Sequence, residues 1–101
     1  MSAYVIVFRE TAVTDPEAIA EYQRLSQPKE PTPGLKVLAA YGELTPLEGE
    51  LPDAAVVIEF PDLESAKAWY FSPHYQAAVA ARRKAATFRS LIVEGLPSSA
   101  G

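Results

Sequence analysis

The sequence predicts a small α+β domain of the ferredoxin-like kind, ordered strand-helix-strand-strand-helix-strand, with a four-stranded antiparallel sheet and its helices on one face. Three observations carry this expectation. β-branched and aromatic runs of strand length recur at residues 3–9, 54–60 and 87–94, with a weaker one at 35–41. Two helix starts are built on proline, at Asp15-Pro16 and Ser72-Pro73. The strands are apolar at both parities, so that Val5 and Val7 alternate with Ile6 and Phe8, and Val57 alternates with Val56 and Ile58. A sheet with one face in water would instead place a polar residue at every second position, so both faces are expected to be covered. Helices cover one, and the sheet of a second copy covers the other.

Taken in order, Ala-Tyr-Val-Ile-Val-Phe-Arg at residues 3–9 is the first strand. Asp15 then caps a helix that starts at Pro16, carries Glu17 in its first turn where the dipole favours a negative charge, and is expected to reach Gln27. Its inward stripe is Ala18, Ile19, Tyr22 and Leu25. Pro28, Pro31 and Pro33 before Gly34 form a stiff connector that cannot continue a helix. The second strand follows at residues 35–41, and residues 43–52, with Pro46 and Gly49, read as an irregular excursion or a short edge strand. After the third strand, Pro61-Asp62 opens a helix over residues 63–71 with the stripe Leu63, Ala66, Trp69 and Tyr70. Ser72-Pro73 restarts it to about residue 86, which makes one long broken helix ahead of the last strand. The domain is expected to span residues 1–95, with a flexible tail at 96–101.

Composition narrows the function. The net charge is −4 and no basic run exceeds Arg82-Arg83-Lys84, so the footprint of a nucleic-acid binder is missing. Cysteine is absent and histidine occurs once, which leaves a metal only carboxylates, and Glu43, Glu48, Glu50 and Asp53 lack the spacing of a calcium loop. No apolar segment reads as a signal peptide or membrane span, and a cytoplasmic location without a membrane partner is the expectation. Neither a glycine-rich phosphate loop nor a nucleophile elbow is present.

The candidate chemistry lies along the broken helix. Tyr75, Val79 and Arg82 stand at i, i+4 and i+7, so Arg82 falls on the face that carries the apolar contacts. An inward guanidinium wants an anion: a ligand carboxylate or phenolate, or the side chain of Glu59. A snorkelling surface arginine is the third reading. His74 is the one histidine available for acid-base work, and the helix start favours its neutral form. Glu59 has the parity of Val57 and is expected between the sheets of a dimer, together with Arg9, which has the parity of Val7, and Arg89. Those charges would form an interstrand network or line a cavity. Tyr22 and Tyr41 are core aromatics with boundary hydroxyls or members of a pocket wall.

These pieces in their order resemble the bacterial family called domain of unknown function 1330. The resemblance rests on Ala-Tyr-Val-Ile-Val at the start, Thr14-Asp15-Pro16-Glu17, Leu47-Glu48-Gly49, Val57 to Pro61, Ala68-Trp69-Tyr70, Ser72-Pro73 with Tyr75-Gln76, Arg82-Arg83 and Ile92-Val93-Glu94-Gly95. It implies a dimeric α/β barrel in which two ferredoxin-like sheets close face to face. Ala40-Tyr41-Gly42 departs from the basic residue and two glycines that many members carry there. The wider superfamily includes cofactor-independent monooxygenases, isomerases and cyclases, and fold analogy does not choose among them. The functional expectation is therefore a small-molecule-binding homodimer acting without metal or bound organic cofactor on an aromatic or acidic metabolite. His74 or Glu59 would move a proton, and Tyr22, Tyr41, Trp69, Tyr75 and Arg82 would form the ligand pocket. A homodimer with no catalysis, whose aromatics only fill the core, is the alternative.

Overall fold

A computed structural model of the chain describes residues 1–26 and 34–97. The element order is β1 (Ala3–Arg9), α1 (Pro16–Ser26), β2 (Lys36–Ala40), β3 (Ala54–Phe60), α2 (Leu63–Tyr70), α3 (Pro73–Ala85) and β4 (Phe88–Glu94). The strands form one antiparallel sheet in the order β2-β3-β1-β4, the ferredoxin-like arrangement that the sequence predicts. Expectations that fall on Gln27, on the prolines at 28, 31 and 33, and on most of the tail lie outside the described residues.

Each helix starts where a short polar side chain can take an orphan amide. Asp15 Oδ1 accepts from the Ala18 N–H at 3.1 Å, Asp62 Oδ1 from Ser65 at 2.7 Å and Ser72 Oγ from Tyr75 at 3.2 Å. The Ser65 amide also holds the Asp62 carboxyl below its ordinary pKa. Ser72 Oγ donates to the Trp69 carbonyl at 2.8 Å as well, so one hydroxyl ends α2 and begins α3. This is the break in the long helix, and Pro73 at the first helical position fixes it. The turn into β2 uses Gly34 at φ 77°, where a β-carbon would come within 2.9 Å of the Pro61 ring.

Register decides which strand residues meet the helices. Val5 lies between Ile58 and Ile92, and Val7 between Val56 and Ser90. Ala3, Val5, Val7, Ile58 and Phe60 are buried on this face with Ala66 of α2. The other face presents the rows Tyr4-Glu59-Val93, Ile6-Val57-Leu91 and Phe8-Ala55-Arg89 to the outside. Arg9 shares the parity of Val7 and so lies on the helix side, not between two sheets as the sequence reading expected. The register pairing Val7 with Val56 puts both on one face, and that pairing cannot be read from β1 alone.

A second apolar cluster joins Tyr75, Ala78 and Val79 of α3 to Tyr22 and Leu25 of α1, and Trp69 packs against both clusters. The α1–α3 pair is packed more closely on itself than on the sheet, whereas α2 touches β1, β3 and β4 directly. Space remains between the sheet and that helix pair.

Candidate functional site

That space is a cavity of about 180 Å³. Its sheet wall is Val7, Val56, Ile58 and Phe88; its helix wall is Tyr22 and Tyr75; Arg9 and Tyr41 stand among the residues at the strand ends. A chamber of this size is smaller than the usual drug-sized pocket and suits a single ring with one or two substituents. No Asp, Glu or His is among the lining residues.

Behind the helix wall sits Arg82, 2% exposed. Its Nη1 donates to Tyr75 Oη at 3.1 Å, and its guanidinium carbon lies 5.1 Å from the Phe88 ring centroid, 5.8 Å from Tyr22 and 5.9 Å from Tyr75. Nε is buried with no hydrogen-bond partner among the described residues. An ion pair between Arg82 and Glu59 is ruled out, because Glu59 projects from the opposite face of the sheet. Arg82 is also not a surface residue: the i, i+4, i+7 spacing from Tyr75 carries it to the inner face of α3, where Tyr75, Val79 and Arg82 are all buried.

Proton bookkeeping gives the cluster a direction. Arginine can only donate, so Tyr75 Oη accepts from it. Tyr22 Oη and Tyr75 Oη are 3.2 Å apart and share one proton between them. Two phenols hold two protons, so whichever way the shared bond points, one O–H has no acceptor within the cluster. The group as a whole is a donor backed by a fixed positive charge. Burial, then the neighbouring Tyr22 phenol, pushes the Tyr75 hydroxyl far above its ordinary 10.0 despite the opposing pull of Arg82, so it stays a neutral phenol at any physiological pH. At Tyr41, burial and then Tyr22 raise the pKa while Arg9 and Arg82 lower it, so those three side chains lie within electrostatic reach of the Tyr41 hydroxyl.

The structure therefore brings Tyr22, Tyr41 and Tyr75 to the cavity with Arg82 directly behind them. Trp69 does not line it. Its ring stacks 4.0 Å from that of Tyr75 and 5.2 Å from that of Phe60, and so backs the wall. His74 is one residue before Tyr75, a turn of about 100° around the helix, and is exposed on the outside of α3. Glu59 is half-buried on the outer sheet face beside Tyr4 and Lys36. Arg89, also on that face, pairs with Glu10 at 2.8 Å and lies over Phe8. Arg9, which the sequence reading placed between two sheets, lines the cavity instead, because the register sets Val7 and Val56 on one face.

Two other hollows are less suited to chemistry. A groove of about 260 Å³ between α2 and β4 is lined by Val5, Tyr70, Phe71, Ser90, Leu91 and Ile92 and holds no charged side chain. Another, of about 230 Å³, lies under the 44–52 excursion against Phe8 and Ala55. Among the described residues no group of His, Asp and Glu is placed to hold a metal ion, and no helix is long and apolar enough to cross a membrane.

The fold recurs in solved structures. A protein of unknown function from Rhodopseudomonas palustris superposes with a TM-score of 0.67 at 24% identity, over 95% of this chain and 83% of that one. An ethyl tert-butyl ether D (EthD) family protein from Bacillus halodurans gives 0.60 at 21% identity, over 95% of this chain and 100% of that one. A protein of unknown function from Thermobifida fusca, described as dimeric and ferredoxin-like, gives 0.56 at 17% identity, over 93% and 90%. At such identities the likeness shows the shared fold alone. No functionally curated protein matches the chain significantly. The family model described as domain of unknown function 1330 matches residues 2–96, and the chain belongs to that family.

Proposed function

We propose that the protein is a homodimeric binding protein for a compact apolar acid, held in the cavity between the sheet and the α1–α3 pair. The observation that carries this reading is the carboxylate-free chain Arg82–Tyr75–Tyr22, buried at Arg82 and Tyr75 and half-buried at Tyr22, which borders the cavity with one phenolic proton to give. Such a site selects an acceptor: a carboxylate, a phenolate or an enolate oxygen. A carboxylate about 5 Å from the guanidinium gains about 3 kcal/mol at an effective dielectric of about 20. The apolar sheet wall of Val7, Val56 and Ile58 supports a ring or short hydrocarbon on the other side.

The same donors would stabilise an oxyanion in an isomerisation, cyclisation or oxygen addition. Those reactions also need a base, and neither His74 nor Glu59 lines the cavity, so the proposal assigns them no catalytic step. The homodimer half of the reading is supported by the outer sheet face, where Ile6, Val57, Leu91 and Val93 are adjacent and Leu91 and Val93 are 45% and 44% exposed. A self-complementary twofold contact over that face would cover it. The Thermobifida fusca protein with the same fold is described as dimeric.

A thermal-shift titration with benzoate tests the binding half. At about ten times its Kd the ligand stabilises the native state by about 1.4 kcal/mol, or about 5–10 °C for a domain of this size. Tyr75→Phe, which keeps the ring and removes the hydroxyl, should abolish the shift. An equal shift in Tyr75→Phe would place the acid elsewhere.

A further inference from the structure

Arg9 is the last residue of β1, and its sheet neighbours are Ala54 on one side and Phe88 on the other. The small side chain of Ala54 lets the arginine lie along the end of the sheet, where it joins the cavity wall. Its Nε donates to Asp53 Oδ2 at 2.7 Å, and its guanidinium carbon lies 5.9 Å from the centroid of the Tyr41 ring. Tyr41 is held there at a cost. It has φ 58°, a left-handed conformation that a bulky side chain adopts only against steric resistance, and its N–H is fixed to the Ala55 carbonyl at 3.1 Å. The strained backbone sets an aromatic ring that is 58% exposed against a cation at the end of the cavity.

We propose that Arg9 is a second anion anchor, on the strand-end rim of the cavity that Tyr22 and Tyr75 also line, so that the site takes a flat aromatic diacid in preference to a monoacid. This rests on the binding reading above and names its ligand class. Asp53 holds the place of the ligand's outer carboxylate. It engages Arg9 through Nε alone, whereas a guanidinium forks best around a carboxylate with two parallel N–H donors. Both partners of the pair remain partly open, with side-chain exposures of 22% and 37%, so an incoming carboxylate can reach Arg9 and displace Asp53. The rest of the sheet wall is apolar, from Val7, Val56, Ile58 and Phe88, which matches the flat ring of such a diacid.

Calorimetric titration of benzoate and terephthalate into the parent protein, Arg9→Met, Arg9→Lys and Asp53→Asn tests this. The parent should bind terephthalate at least about tenfold more tightly than benzoate, the equivalent of about 1.4 kcal/mol. Arg9→Met should bring the ratio of the two affinities to about one, Arg9→Lys should keep part of the preference, and Asp53→Asn should increase it. Equal affinities in the parent, or a preference that survives in Arg9→Met, would overturn the assignment of Arg9 while leaving the binding site in place. If neither acid binds the parent, the proposed function fails and this inference fails with it.

Discussion

Replacing Arg82 with methionine separates what this side chain does for the ligand from what it does for the fold. Methionine keeps much of the length and volume of arginine but has neither the charge nor the donors. In the native protein the guanidinium is 2% exposed, makes one hydrogen bond at 3.1 Å and leaves Nε buried without a partner among the described residues. Taking an ion out of water costs several kcal/mol even after the surroundings relax. Against that stand one hydrogen bond to a charged group, about 1.5–3 kcal/mol, and contacts with three aromatic faces, together about 1.5–3 kcal/mol. The gains offset the cost, and the balance in the ligand-free protein is close to zero. Arg82→Met should therefore move the melting temperature by less than about 5 °C and abolish the benzoate shift. The assay is thermal unfolding followed by circular dichroism, with and without benzoate, at matched protomer concentration because the melting temperature of a homodimer depends on concentration. In the Arg82→Met background a further Tyr75→Phe change should cost little, since the hydroxyl no longer has a cation to satisfy. A melting temperature lowered by about 5 °C or more would refute the reasoning and make Arg82 a strut of the α1–α3 pair.

Two further outcomes follow from the same geometry. The native protein holds the Tyr75 proton to a higher pH than the unfolded chain, whose phenol titrates near 10.0. Below that value both states are protonated and stability is unaffected; above it the unfolded chain ionises first, so stability falls as pH rises, and Tyr41 adds to the trend. Urea midpoints should drop between about pH 9 and about pH 11, less steeply in Tyr75→Phe, and an unchanged slope in that variant would assign the effect to other groups. On the outer sheet face, Val57 lies between Ile6 and Ala39, and Val57→Lys would bury an unpaired ammonium in a sheet-to-sheet contact at a cost of several kcal/mol. Sedimentation at micromolar concentration should then show a dimer for the parent and a folded monomer for the variant; a dimeric variant would put the interface elsewhere.

Much of the architecture was legible because local signals agreed. Proline after Asp15 and after Ser72 marked two helix starts to the residue, and the Ser72 hydroxyl ends one helix and starts the next as the broken pattern implied. The inward turn of Arg82 was legible too, since helical spacing from Tyr75 through Val79 is rigid. What local pattern could not supply was the relation between strands. A strand apolar at both parities, such as β1, does not say which face the helices take, and only the register of Val7 opposite Val56 moves Arg9 to the cavity side. Nor does spacing show how far a helix stands from the sheet. Trp69 has the right periodicity for a pocket residue, yet α2 lies directly on the sheet and its ring fills the core, while α1 and α3 leave room. His74 was singled out for its chemistry, and its position one residue from buried Tyr75 directs it outward.

The most direct measurement is a crystal structure of the protein soaked with 4-iodobenzoate, whose iodine can be located by its anomalous scattering. The account predicts the carboxylate within hydrogen-bond distance of the Tyr22 or Tyr75 hydroxyl and the iodine between Val7 and Phe88, in the cavity bounded by the sheet and the α1–α3 pair. An iodine found only in the α2–β4 groove or on the outer sheet face, with the tyrosine pair untouched, would contradict it.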